Sequence, residues 1–348
     1  MDLSSRQSQI TLAILTGNTS LAKLRQLPQF HAVTARTIQR DVSALVDKRV
    51  VTRHGEGRTV TYEVTPRAGL QVVCPDDVLD GILRDESRPA VRYDFNRLGL
   101  LADNPLFSTN ELAVLESCHE TFAAKLKSAP ADIIRRERER ITVELSWKSS
   151  QFEGNTYSLL ETETLLKEGA AASGKSEFET TMVLNHKKAL DFSAQHADLF
   201  AGPLRVQTVI ELHKILVEGL GISFGLRERH VAITGTVYMP LGNKFQIEEE
   251  LKKFCQVVNA KDDIFEKALL ALTFVSYLQP FNDGNKRTGR ILANALLYAH
   301  NSWPLSLRAI DANTYKRALL AFYEFGILGN ATRALIKQAR FSSEHYAI

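Results

Sequence analysis

Residues 278–290 read LQPFNDGNKRTGR, and the fold turns on how this stretch is understood. The residues before it, 264–279, are apolar on most faces. Those after it, 285–300 (NKRTGRILANALLYAH), repeat apolar side chains every three or four positions. Both runs predict buried helices, so the turn between them sits at the amino end of a core helix. Free backbone N–H groups and the helix dipole make that place a seat for an anion. Gly284 can take the left-handed backbone that a close approach needs. Arg287 and Arg290, three apart, share one helix face and can fork onto phosphate oxygens. Asp283 offers a hard oxygen that suits Mg²⁺ bridging phosphates, and Phe281 is expected to point inward and pin the loop. A charged surface turn with solvated arginines is the plain alternative.

The rest of the chain frames this turn. Its 348 residues suffice for two or three domains, and 44% hydrophobic with 24% charged residues is ordinary for a globular protein. Net charge is only +3, so any nucleic-acid surface must be local. Cys74, Cys118 and Cys255 are odd in number and far apart, which argues against a disulfide framework or a zinc site and fits a reducing compartment. The first twenty residues lack the pattern of a secretory signal, and no apolar run reaches the roughly 20 residues a membrane span needs. These features predict a cytoplasmic protein with no membrane partner.

Residues 1–67 carry ten cations against five anions, a local excess of roughly +5, so the remainder is slightly acidic. Spacing predicts helices near Arg6–Leu15, Ser20–Leu27 and Ala35–Lys48, with Thr34 as N-cap of the third. VVTRHGEGRTVTYEV then alternates about Gly55-Glu56-Gly57, a strand–turn–strand pattern. This order is that of a winged helix-turn-helix, and TARTIQRDVSALVDKRVVTRHGEGRTVTYEV resembles the DNA-binding segment of DeoR-like bacterial repressors. The resemblance implies that Arg36, Thr37, Gln39 and Arg40 face base edges while Arg53 and Arg58 meet phosphates. A protein-docking module with solvated arginines is the alternative. Residues 68–107, with Pro75, Pro89 and Pro105, read as a connector with some packing of its own. From 108 onward helical periodicity dominates, over about 109–127, 131–148, 157–168, 176–195, 204–219, 247–259, 264–279, 285–300 and 314–327. One stretch, VAITGTVY at 231–238, reads as a short hairpin.

QPFNDGNKRTGR also resembles HxFx(D/E)GNGRxxR, the signature of the Fic family, which mainly transfers AMP from ATP to protein hydroxyls. Phe281, Asp283, Gly284, Asn285, Arg287 and Arg290 match; Gln279 and Lys286 do not. WKSSQFEGNTYSLLETETLL at 147–166 looks like the segment (S/T)xxxE(G/N) of Fic proteins with an amino-terminal inhibitory helix, filled here by Ser149, Glu153 and Gly154. GLRERHVAITGTVYMP at 225–240 looks like the approach to the family's substrate-positioning flap. The expected fold is therefore mainly α, a Fic-type helical domain with a small β-hairpin flap, preceded by a winged-helix (α+β) domain. The expected divisions are 1–67 for the winged helix, 68–107 for the connector and 108–348 for the Fic domain. Within the last lie an inhibitory segment near 147–155, a flap at 231–240 and a phosphate-binding loop at 279–290.

The resemblance implies roles residue by residue. Asp283 would bind Mg²⁺; Gly284, Asn285, Lys286, Arg287 and Arg290 would hold the phosphates of ATP. Glu153 would compete with the terminal phosphate for Arg290. The flap would align an extended target by strand addition and bring its hydroxyl to the phosphorus. Gln279 stands where the family has its catalytic histidine; an amide can orient a hydroxyl but takes no proton at neutral pH, and losing a positioned base costs about 10²–10⁴ in rate. His213, in mid-helix, and His230, before the flap, are the candidate substitutes, and structural roles are expected for both. Lysine at the place of Lys286 resembles the Doc branch, which transfers a terminal phosphate. Three functions follow: a nucleotide-binding transcription regulator with AMP transfer weakened or lost, an autoinhibited protein adenylyltransferase, and a Doc-like phosphotransferase. Winged-helix repressors and Fic proteins often form dimers, so a homodimer is compatible with all three.

Overall fold

A computed structural model describes residues 3–83 and 88–346; residues 84–87 of the connector lie outside the described residues. The chain forms two compact units. The first takes in residues 1–108 together with 234–238 and 316–333. The second takes in 109–233, 239–315 and 334–348.

The first unit begins with helices α1 (Ser5–Leu15), α2 (Leu21–Arg25) and α3 (Ala35–Asp47). Each starts where a side-chain oxygen meets a free backbone N–H. Ser4 accepts from Gln7 in a reciprocal capping box, Ser20 from Lys23, and Thr34 from Thr37. Strands β1 (Val51–His54) and β2 (Thr61–Val64) then pair antiparallel, Val51 opposite Val64 and His54 opposite Thr61. Ile10, Ile14, Ile38, Val42, Leu45, Val51 and Tyr62 face one core. So small a module buries little apolar area by itself. Its core continues into Val72, Cys74 and Leu79 and is closed by Ala321 and Ile327.

Residues 68–107 carry local structure of their own. They hold short helices Pro66–Gln71, Asp76–Leu83 and Arg97–Asp103, and a strand β3 (Val91–Arg92). The buried Arg97 guanidinium donates to the carbonyls of Phe322 and Tyr323, and the Asn330 side chain bonds both ways to the Cys74 backbone at 3.0 and 2.8 Å.

A small antiparallel hairpin is present as β1 and β2, but the hairpin expected over 231–238 takes another form. Residues 234–235 make a turn, and the strand that follows, β4 (Tyr238–Met239), pairs with β3 instead of folding back on 231–233. Val91 N–H donates to the Val237 carbonyl at 3.0 Å. Glu324 accepts from Thr236 Oγ1 and from Arg88, fixing this edge. Alternation of β-branched residues told that the segment is extended; only tertiary contacts chose its partner.

The second unit is helical. Its site is built from α4 (Ala131–Gln151), α5 (Glu177–Gln195), α6 (Val206–Val217), α7 (Ile264–Leu278) and α8 (Asn285–Ala299). Helix α7 is buried from Ala268 through Leu278 and packs most extensively on α8. Gly289 permits this: a Cβ there would stand 2.8 Å from the Ala271 carbonyl oxygen. All three cysteines are free and buried. Among the described residues no helix is long and apolar enough to cross a membrane.

Candidate functional site

The loop between α7 and α8 is shaped by its own side chains. Helix α7 ends at Gln279, which takes the left-handed conformation (φ 50°, ψ 57°) uncommon for a residue with a Cβ. Gly284 repeats it (φ 79°) just before α8 begins. A Cβ on Gly284 would press Val217 Cγ1 at 3.2 Å, so glycine serves both conformation and space there. Asn285 ties the turn together: its Nδ2 donates to the Phe281 carbonyl (2.9 Å) and to Gln279 Oε1 (2.8 Å), and its Oδ1 accepts from Phe281 N–H (2.9 Å). Phe281 is fully buried and stacks on the His213 ring, centroids 3.7 Å apart and 4° from parallel. It points inward, as the sequence suggested.

Three cations converge at the start of α8. Arg287, 2% exposed, donates through Nη2 to Asp283 Oδ2 at 3.1 Å, while its Nη1 is buried without a hydrogen-bond partner. Arg290 is completely buried. Its Nε donates to Ser149 Oγ (2.8 Å) and its Nη2 to the Ser149 carbonyl (3.1 Å) and to Glu153 Oε1 (2.7 Å). Its guanidinium carbon lies 5.6 Å from the centroid of the buried Tyr315 ring. Lys286 Nζ reaches the other oxygen of Glu153, Oε2, at 2.9 Å. Burial raises the Glu153 carboxyl, but the charges of Arg290 and then Lys286 outweigh it and hold the group down to about 2. Glu153 is thus an anion locked onto two cations. Gly154, in the left-handed region at φ 88°, turns the chain away directly after it.

Beneath this latch lies a polar chain that the sequence did not single out. Ser149 Oγ, accepting from Arg290, lies 2.8 Å from His186 Nε2, and His186 Nδ1 lies 2.8 Å from the Met182 carbonyl. A carbonyl only accepts, so the ring proton sits on Nδ1, and Nε2 accepts a hydrogen bond from the Ser149 hydroxyl. Burial pushes His186 down to about 3, which keeps the ring neutral. A histidine within LNHKKALDF carries no signal of this role.

Gln279 is not free to orient a substrate hydroxyl with its whole amide. Nε2 donates to the Ser276 carbonyl (2.7 Å), and Oε1 accepts from Asn285. Its backbone carbonyl accepts from Arg227 Nε at 2.6 Å. Arg227, also fully buried, donates to the Arg229 and Leu241 carbonyls and through its backbone to Pro280 O. It anchors the loop on the segment before the flap, yet in GLRERH nothing distinguishes it from its neighbouring arginine. Neither candidate histidine lies ready to replace a base. His213 Nε2–H donates to the Asp283 carbonyl (3.0 Å), and burial pushes the ring down to about 4. His230 rests on Gly242, where a Cβ would overlap its ring.

Asp283 stands with its side chain 60% exposed, one oxygen on Arg287 and the other accepting from the Gly284 N–H. Among the described residues no group of three or more His, Cys, Asp or Glu is placed to hold a metal by itself. A Mg²⁺ at Asp283 would therefore take most of its oxygens from a ligand and water, which fits the ion's habit. In the first unit, Arg36, Gln39 and Arg40 are exposed on α3, as are Arg53 and Arg58 about the β1–β2 turn. Thr37 is half-buried, and its N–H and hydroxyl both bond Thr34 Oγ1, at 3.2 and 2.9 Å, within the helix cap.

A helix–loop–helix with buried arginines, crossed by a glutamate from the turn that ends α4, is a distinctive arrangement. Residues 203–297 match the Fic/DOC family. The matched segment contains α6, α7, the loop and α8 as far as Leu297, while the Ser149–Glu153 latch lies outside it. The chain is 27% identical over 198 residues to protein adenylyltransferase Fic of Nematostella vectensis, covering 55% of this chain and 46% of that protein. It is 24% identical over 252 residues to protein adenylyltransferase fic-1 of Caenorhabditis elegans, covering 70% and 48%. The chain thus spans about half the length of the curated relatives it matches. In structure it resembles a glutamate-to-glycine variant of C. elegans Fic-1, with TM-score 0.57, 20% identity, and coverage of 97% of this chain and 98% of that one. The likeness at that identity is one of fold.

Proposed function

We propose that the α7–α8 loop binds ATP with Mg²⁺, that Glu153 holds the site shut, and that AMP transfer to protein hydroxyls is weakened or lost because Gln279 stands where the family has its base. The observation that carries this reading is the pair of buried guanidiniums at the start of α8. An N–H left unpaired in the interior costs about 1–3 kcal/mol, a penalty an incoming phosphate oxygen would remove. Arg287 Nη1 is such a donor, and Arg290 gains further ones when Glu153 leaves. Mg²⁺ at Asp283 would offset the charge of the phosphates; the chain's own residues position them. Asn285 keeps the loop in shape, and the α8 amino terminus adds its free N–H groups. In this arrangement nothing at the reacting hydroxyl takes a proton: Gln279 cannot, and His213 is committed to the Asp283 carbonyl.

The experiment is direct. The protein is incubated with ATP labelled on the α-phosphate and, separately, on the γ-phosphate, alongside a thermal shift with ATP and Mg²⁺. A shift with little or no label is the expected result. Strong α-label would mean an active adenylyltransferase, γ-label a Doc-like phosphotransferase, and no shift even for Glu153→Gly would end the nucleotide reading. Gln279→His is expected to raise α-labelling.

The first unit is proposed to be a DNA-binding winged helix. Its support is the set of exposed side chains on α3 and the β1–β2 turn, which no ion pair among the described residues engages. Nucleotide and DNA binding in one chain fit a transcription regulator. The flap's role toward a protein target is proposed with one modification: the edge at Val237 already carries β3, so an added strand would have to displace it.

A further inference from the structure

Lys286 marks the loop's departure from the family sequence, which has glycine there, and its side chain is not idle. One carboxylate, that of Glu153, spans two cations: Oε1 lies 2.7 Å from Arg290 Nη2, and Oε2 lies 2.9 Å from Lys286 Nζ. Lys286 and Arg290 are four residues apart on α8, so their side chains rise from one face. Like charges at that spacing repel, and the shared carboxylate relieves the repulsion. The Arg290 side chain is fully buried, whereas 39% of the Lys286 side chain is exposed. Withdrawing Glu153 therefore leaves a half-open seat with two positive charges at a helix amino terminus.

A group that fills this seat must do what the carboxylate does. It must offer two oxygens on one centre, one for each cation, and bear negative charge. A terminal phosphate satisfies both demands. We infer that Lys286 and Arg290 form a paired seat for the terminal phosphate of a nucleoside triphosphate, occupied in the resting protein by the two oxygens of Glu153. Lys286 thus serves the latch and the ligand in turn. The inference rests on the nucleotide reading of the loop. It adds a specificity: the seat distinguishes a triphosphate from a diphosphate, which lacks the group that would reach it. It also predicts a compensation. Removing Lys286 loosens the latch and weakens the ligand together, so the two effects oppose each other whenever Glu153 is present.

Calorimetry with Mg-ATP and with Mg-ADP on the unaltered chain, Glu153→Gly, Lys286→Met and the double variant tests this. In the Glu153→Gly background, Lys286→Met is expected to weaken ATP binding about tenfold, the value of one charged hydrogen bond, and to leave ADP binding unchanged. With Glu153 present, the same substitution is expected to change ATP binding much less. Lys286→Arg in the Glu153→Gly background is expected to restore ATP binding. An equal loss in both backgrounds would break the link between Lys286 and Glu153. An equal loss for ATP and ADP, or no loss for either, would overturn the seat while leaving the nucleotide reading intact. Failure of Glu153→Gly to bind either nucleotide would overturn both.

Discussion

Gln279 was legible as a mismatch but not as a structural member. Its side chain closes the end of α7 through Ser276 and accepts from Asn285, and its backbone sits in a left-handed turn. A residue type can be read from sequence; whether an amide's bonds are already used depends on neighbours brought in by folding. The same holds for His186 and His213, which look like ordinary mid-helix residues and are in fact buried neutral rings. Their folded values, about 3 and about 4, lie below the ordinary 6.5. The unfolded chain binds these protons first, so their contribution is intact above pH 6.5 and is lost as pH falls toward 4 and below. Urea unfolding at pH 7 and pH 5 should show a loss on the order of 2 kcal/mol per histidine, and His213→Gln should remove one share of it. Glu153 behaves oppositely in type and alike in direction. Its carboxyl is held at about 2 against an ordinary 4.5, so the latch is intact above pH 4.5 and fails between 4.5 and 2. Glu153→Gln should abolish the part of the acid transition in that window; an unchanged profile there would mean the ion pairs do not stabilise the fold.

Among elements, α7 and α8 were the easiest to find and Gly289→Ala is the sharpest test of why they meet. Alanine improves helix propensity by about 0.5–1 kcal/mol over glycine. Against that, its Cβ would stand 2.8 Å from the Ala271 carbonyl oxygen, in backbone that cannot swing aside. Overpacking of this kind costs about 1–3 kcal/mol, so the variant is expected to melt lower than the unaltered chain. A higher melting temperature would show that the helices can separate freely. The last helix, Gly329–His345, escaped the sequence reading for a related reason. Its inward face is Ala331, Thr332, Ala334, Leu335, Gln338, Ala339 and Ser342, all but Leu335 small or polar. Gln338 is wholly buried because Ser306, Ser342 and the Ala309 N–H satisfy its amide. Periodicity registers hydrophobic stripes and misses a face buried by hydrogen bonding. The segment 231–238 fell short differently, since a β-branched run gives an extended conformation without naming its partner strand.

For the whole molecule, the two proposed activities belong to different units, each with its own residues. DNA binding through α3 and the β1–β2 turn should be strongly salt-dependent, because phosphate contacts release counterions. Arg53→Ala with Arg58→Ala should weaken binding to all sequences and flatten the salt slope by about two phosphate contacts, whereas Gln39→Ala should relax sequence preference. Mobility shifts across a salt series on selected duplexes would read both, and indifference to all three changes would dismiss the winged-helix reading. Some of this architecture needed only the string of residues. The cap at Thr34, helices α7 and α8 and the left-handed Gly284 between them follow from local chemistry, because caps, periodicity and left-handed glycines act within a few positions of themselves; Glu153 as the partner of Arg290, 137 positions away, was implied by resemblance and not by any local pattern. Tertiary structure alone decided that Lys286 joins Arg290 on one carboxylate, that Arg227 anchors the loop, that His186 underlies the latch, and that β3 takes the edge at Val237. Those contacts join residues tens to more than a hundred positions apart, where closeness depends on how the core packs and no local pattern records it.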